Sequence, residues 1–183
     1  MTLVVAAGLT ALGATSADAS TCPSSVTVGS GTYPADTNYH KPWANADVKV
    51  MTRDFCDQTK SVNVHTGWDW AGGGKFQVLA PNDGVVKAIG SGGSYGLYMV
   101  IKFSDTNYEE FAHLDHLSRA WAMGDPVTRT QVLAAAGDTG DADGVHLHLS
   151  GSAHWGGWSW SDTHFYNVRT FLDDHGVDWA PTE

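Results

Sequence analysis

The spacing of the apolar runs constrains this chain most. From about residue 62 they are short, and each is closed by a turn signal. Phe76-Gln77-Val78-Leu79-Ala80 meets the turn Pro81-Asn82-Asp83-Gly84, and Val85-Val86-Lys87-Ala88-Ile89 leaves it. A Gly/Ser loop over 90–96 leads into Leu97-Tyr98-Met99-Val100-Ile101-Lys102-Phe103, and further runs follow at 108–114, 131–136 and 145–150. Short runs with turns between them predict an antiparallel β sheet or sandwich. Helical spacing is clear in one place: Asn167 as N-cap, Val168, Phe171 and Leu172 at i, i+3 and i+4, and Gly176 beyond the end. The expectation is a mostly β fold with a short C-terminal helix.

A length of 183 residues with 42% hydrophobic content suits one core. Ten Lys+Arg against 20 Asp+Glu gives a net charge of −10 without a basic cluster, which argues against nucleic acid or an anionic membrane surface as partner. Residues 1–19 stand apart: an apolar, Ala-rich stretch free of charge before Asp18, ending in the small-x-small site Ala17-Asp18-Ala19. That pattern predicts a cleaved secretory signal. Its positively charged start is missing, so the true start is expected upstream. The run is too short for stable membrane insertion. An exported chain with two cysteines, Cys22 and Cys56, is expected to pair them. Residues 20–61, polar and broken by Pro23, Pro34 and Pro42, read as an N-terminal extension packed on a domain spanning 62–183.

Three segments carry candidate chemistry. In Val145-His146-Leu147-His148-Leu149, a strand turns both leucines to the core and both histidines to the other face, with histidine Cα atoms about 6.6 Å apart. In His65-Thr66-Gly67-Trp68-Asp69, full extension separates His65 from Asp69 by about 13 Å. A bend at Gly67, which tolerates unusual backbone angles, is expected to bring them together. His65, Asp69 and His148 would then form a two-histidine, one-carboxylate set, the type that holds zinc while keeping a fourth position open. No His-Glu dipeptide occurs, which excludes a helix-borne H-E-x-x-H site. Finally, Phe111-Ala112-His113-Leu114-Asp115-His116 adds two imidazoles, and spacing alone does not choose between His113 and His116 as a proton-transfer group.

Two segments compete for attention. Gly92-Gly93-Ser94-Tyr95-Gly96 matches the letters of a G-x-S-x-G nucleophile elbow, but the run after it reads as a strand rather than the required helix. Trp155-Gly156-Gly157-Trp158-Ser159-Trp160 reads either as a wall on which substrate stacks or as ordinary loop packing; three Trp in a Gly-rich loop are hard to bury fully, which favours the wall.

Taken in order, these motifs resemble the lysostaphin-like (LytM-type) zinc metallopeptidases that cut peptidoglycan. The resemblance covers about residues 62–172. It rests on the H-x-G-x-D of His65 to Asp69, the A-P-x-x-G-x-V of Ala80 to Val86, and the Gly-rich loop before a strand. Phe111-Ala112-His113-Leu114, Gly124-Asp125-Pro126-Val127, Thr139-Gly140 and His146-Leu147-His148 complete it. It implies a groove with the site at its floor. By the same resemblance His65, Asp69 and His148 would hold Zn2+, and His113 and His146 would be the catalytic pair, with His116 the alternative to His113. Phe111 departs from the family's tyrosine. The implied function is a secreted, monomeric zinc metalloendopeptidase acting on peptidoglycan peptides. The alternative is a non-catalytic relative that binds the wall or activates another hydrolase.

Overall fold

The computed structural model describes residues 39–44, 50–57, 64–104, 107–155 and 165–179. The expected signal at 1–19, Cys22, and Gly156–Trp160 of the tryptophan-rich loop lie outside them. The described chain forms ten strands and one helix: β1 (Val50–Arg53), β2 (Gly67–Ala71), β3 (Gln77–Leu79), β4 (Gly84–Ser91), β5 (Leu97–Ser104), β6 (Asn107–Leu117), β7 (Pro126–Val127), β8 (Val132–Ala136), β9 (Leu147–Ser152), β10 (Phe165–Tyr166) and α1 (Val168–Asp174). The expected runs all become strands, with ends shifted by a few residues. All pairings are antiparallel, in the order β1-β2-β9-β6-β5-β4-β7; β10 joins β9, and β8 bridges β3 to β6.

Alternation along the central strands separates two faces. Met99 and Ile101 of β5, Phe111 and Leu114 of β6, and Leu147 and Leu149 of β9 are fully buried in one core cluster. On the opposite face Tyr98, Val100 and Ala112 form a smaller cluster. Helix α1 begins where its sequence says it should. Asn167 Oδ1 accepts the N–H groups of Arg169 and Thr170, and Val168, Phe171 and Leu172 are buried. The same oxygen accepts Trp68 Nε1–H at 2.7 Å, which ties the helix start to β2.

Two parts of the expected extension join this sheet. Trp43 is buried in the core and bridges Val78, while β1 pairs β2 along its outer edge. Strand β1 was not visible in the sequence because Val50 and Met51 are both exposed, so no alternation marks it.

The longest strand, β6, changes partners halfway. Tyr108–Ala112 pair β9, and Leu114–Leu117 pair β8. The change falls at His113, which has φ 57°, a left-handed conformation rare for a residue with a Cβ. Its N–H leaves the ladder and donates to the Tyr95 carbonyl at 2.9 Å. Such an irregularity re-aims a side chain. Here it turns the His113 ring into the cleft.

Candidate metal centre

Strands β2 and β9 build the site's floor by register. Asp69 lies opposite His148, while Trp68 and Trp70 on the alternate positions face the core. His65 precedes β2 and is held by the neighbouring turn: its N–H donates to the Asp57 carbonyl, and its carbonyl accepts from Cys56 N–H. The three side chains converge. His65 Nε2 stands 3.0 Å from Asp69 Oδ1 and 3.0 Å from His148 Nδ1, and His148 Nδ1 stands 2.8 Å from Asp69 Oδ1. Among the described residues, they are the one group of His, Cys, Asp or Glu whose ligand atoms all lie within 4.8 Å of one another.

Gly67 has a different role from the one expected. It is not among the glycines with positive φ, and it belongs to β2 itself. A Cβ there would meet the Leu149 carbonyl oxygen at 2.2 Å, so the glycine is required for close approach of β2 to β9, not for a bend.

The donor set fits a divalent cation. His65 Nδ1–H donates to the Asp54 carbonyl at 2.6 Å, because a carbonyl can only accept. A neutral His65 therefore presents a bare lone pair at Nε2, aimed at a carboxylate oxygen and a second imidazole nitrogen. Three electron-pair donors facing one point repel one another unless a cation lies between them. A proton on His148 is a poor candidate, since burial pushes that ring's pKa down to about 4 despite the neighbouring Asp69. Burial also opposes the charge on Asp69, yet its close contacts with His148 and His65 hold its carboxyl well below the usual range. A buried carboxylate with two imidazole nitrogens facing it is the donor chemistry of an open zinc site.

Two further imidazoles stand beside this trio. The ring centroids of His113 and His146 are 4.5 Å apart. Each donates Nδ1–H to a backbone carbonyl, Thr139 and Gly144 respectively, at 2.8 Å. That leaves Nε2 of both rings as an acceptor; His146 Nε2 lies 3.8 Å from Asp69 Oδ1. Burial lowers the His113 pKa, which keeps that ring neutral and able to take a proton. His116 goes elsewhere: its side chain is 67% exposed and pairs with Asp115.

All five residues line one cleft of about 580 Å³, with Tyr95, Asp141 and Asp143 on its walls. His146, just before β9, and His148 within it thus share a face as expected, but that face is the cleft floor, and His148 is only 3% exposed. Ser94 sits in the loop joining antiparallel β4 and β5, a strand-to-strand connection that rules out a nucleophile elbow.

A chain of hydroxyls behind His148 is not marked by any sequence motif. Ser150 Oγ lies 2.8 Å from His148 Nε2 and 3.2 Å from Thr66 Oγ1, which in turn lies 3.0 Å from the Tyr95 hydroxyl. One signal was available: Ser150 follows His148 by two residues on the same strand and so shares its face.

The model of peptidase family M23 matches residues 63–156, and the chain belongs to that family. Among curated proteins, it is 35% identical over 85 residues to the DD-carboxypeptidase/endopeptidase Mpg of Neisseria meningitidis and of Neisseria gonorrhoeae. The match takes in 46% of this chain but only 19% of those proteins, so the chain spans about a fifth of their length. Among solved structures, a zinc-containing peptidase from Vibrio cholerae shares 28% identity with a TM-score of 0.51, over 61% of this chain and 36% of that one. The antimicrobial peptidase lysostaphin from Staphylococcus simulans has a TM-score of 0.63 over 80% of this chain and 56% of its own, at 20% identity, a likeness of fold.

Proposed function

We propose that this chain is a secreted zinc metalloendopeptidase that hydrolyses peptide cross-links or stem peptides of bacterial peptidoglycan. The observation that carries the proposal is the meeting of His65, Asp69 and His148 at separations of 2.8–3.0 Å, with His113 and His146 on the same cleft. In this reading the first three residues hold the metal and the last two are catalytic. Residues 62–183 form the peptidase domain, 20–61 its extension, 1–19 the export signal, and Cys22 pairs with Cys56. The protein acts as a monomer.

When bound, the ion supplies Lewis-acid polarisation of a carbonyl and acidification of water. The chain's own residues do the rest. His113 and His146 present Nε2 lone pairs, each held in that orientation by a backbone carbonyl. One accepts the proton of the attacking water and later delivers it to the leaving amine. The other, when protonated, donates to the oxyanion as charge develops there. His116, exposed and turned away, takes no part. The Neisseria relatives bear the name DD-carboxypeptidase/endopeptidase, and the Vibrio neighbour is a peptidase that contains zinc, which supports both the substrate class and the metal.

Purified cell walls incubated with the protein test this reading. Mass analysis of the released muropeptides should show new peptide amine and carboxyl ends, abolished by a chelator and restored by zinc. A zinc-loaded protein that releases nothing, or that frees sugar reducing ends instead, overturns it.

A further inference from the structure

Four imidazoles surround the centre, and three obey one rule. His65, His113 and His146 each give Nδ1–H to a backbone carbonyl, those of Asp54, Thr139 and Gly144, and so point Nε2 inward. A carbonyl accepts only, so the tautomer of these three rings is set by the main chain. His148 breaks the rule. Its Nδ1 faces Asp69 and His65, and its Nε2 faces away, toward side-chain hydroxyls at 2.8 Å from Ser150 Oγ and 3.3 Å from Thr66 Oγ1.

We infer that Ser150, backed by Thr66 and Tyr95, is the positioning residue that holds the His148 ring with Nδ1 toward Asp69 and His65 and keeps Nε2 hydrogen-bonded behind it. The inference rests on the metal reading above. A hydroxyl both accepts and donates, which a carbonyl cannot do. Ser150 can therefore satisfy the far nitrogen whether the ring proton lies at Nδ1, shared with Asp69, or at Nε2, where it must lie once Nδ1 is a ligand. The direction is set by what Ser150 does with its own proton. If it donates to Thr66 Oγ1 at 3.2 Å, its oxygen is left to accept Nε2–H. Thr66 can pass its proton on to the Tyr95 oxygen at 3.0 Å. Ser150 and Thr66 are both buried, at 1% and 2% exposure, so no solvent stands ready to replace either hydroxyl.

The arrangement also explains why these positions are where they are. His148 and Ser150 are alternate residues of β9, and Gly67 pairs with Ser150, placing Thr66 just outside the start of β2 against it. One strand thus carries the metal-facing imidazole and the residue that steadies it. The Tyr95 ring, 5.6 Å from the His148 ring and edge-on to it, limits rotation from the cleft side.

The test uses the full-length protein with zinc as probe, titrated in competition with a chromophoric chelator, on the parent and three variants: Ser150→Ala, Thr66→Val and Thr66→Ser. Partners of this kind are worth about 10–100-fold in metal affinity. Ser150→Ala should weaken zinc binding by that factor. Thr66→Val, nearly isosteric but without the hydroxyl, should weaken it about threefold or more, and Thr66→Ser should restore the parent value. Nitrogen-15 NMR of the zinc-loaded parent should show a His148 Nε2 proton in slow exchange, lost in Ser150→Ala. A merely structural role would not move that signal. If Ser150→Ala fails to fold, the Thr66 pair decides. A parent that takes up no zinc removes the metal reading and this inference with it. A parent that binds zinc, with Ser150→Ala and Thr66→Val within twofold of it and the Nε2 proton unchanged, overturns the positioning role alone.

Discussion

Replacing Gly67 with alanine is the sharpest probe of how the sheet builds the site. The added Cβ would lie 2.2 Å from the Leu149 carbonyl oxygen, 2.6 Å from its carbon and 3.0 Å from His148 Cε1. Ordinary contact begins near 3.4 Å, so β2 must retreat from β9 by roughly 1 Å; the atoms in the way are backbone and cannot rotate aside. Overpacking of this kind costs about 1–3 kcal/mol. The lower chain entropy of alanine in the unfolded state returns about 0.4–1 kcal/mol, leaving a net loss of roughly 1–2 kcal/mol. The functional cost is larger, because Asp69 and His148 sit two residues along the same pair of strands. A misplacement of about 1 Å at reacting groups costs on the order of 100-fold in rate. Urea unfolding of the metal-stripped protein, zinc competition and kcat/KM on a cross-link peptide together read both effects. Gly74→Ala is the control: it lines the same cleft, has no positive φ and meets nothing within 4 Å. A Gly67→Ala protein as stable, as zinc-avid and as active as Gly74→Ala would refute the close-approach argument.

Three other substitutions probe separate links. Asn167→Ala removes the acceptor of two helix N–H groups and of the Trp68 indole; a loss of about 2 kcal/mol by urea unfolding is expected. Glu110 is buried with one carboxyl oxygen unpartnered, and burial raises its pKa from 4.5 to about 8. Between those values the folded state keeps a proton that the unfolded chain has released, so this group's contribution to stability falls as pH rises through that window. Glu110→Gln cannot titrate and should gain on the parent by roughly 3–5 kcal/mol between pH 4 and pH 9; parallel pH profiles of the two proteins would exclude the shift. His113→Ala should lower kcat by about 100-fold or more, and His116→Ala should leave it within about twofold; the reverse order would exchange their roles.

Much of the fold was legible because alternation is a local property. Leu147 and Leu149 declare a core face, and that commits His146 and His148 to the other one without any knowledge of the partner strand. Helix α1 was legible for a similar reason: its cap, its apolar spacing and its terminating glycine lie within ten residues. Strand β1 was not, since an exposed edge strand held by backbone pairing leaves no hydrophobic pattern. Which of His113 and His116 enters the cleft was open on spacing, because it depends on the left-handed residue at which β6 exchanges β9 for β8. That exchange involves β8 and β9, which begin at Val132 and Leu147, so no window around residue 113 contains it.

Gly67 shows the same limit from another side. A glycine between a histidine and an aspartate permits either a bend or a close approach, and the two demand opposite backbones. Local sequence favours the bend, since it is the cheaper way to join residues four apart. What decides is Leu149, whose carbonyl occupies the space where a Cβ would be. The consequence reaches the chemistry, because extended backbone at Gly67 keeps the alternation intact and so places Asp69 opposite His148. A bend would have broken that register. The carboxylate is therefore brought to the imidazole by sheet pairing, while His65 is carried in by the turn that precedes β2. Three donors meet because a ladder and a turn converge, and Gly67 stands at the junction of the two.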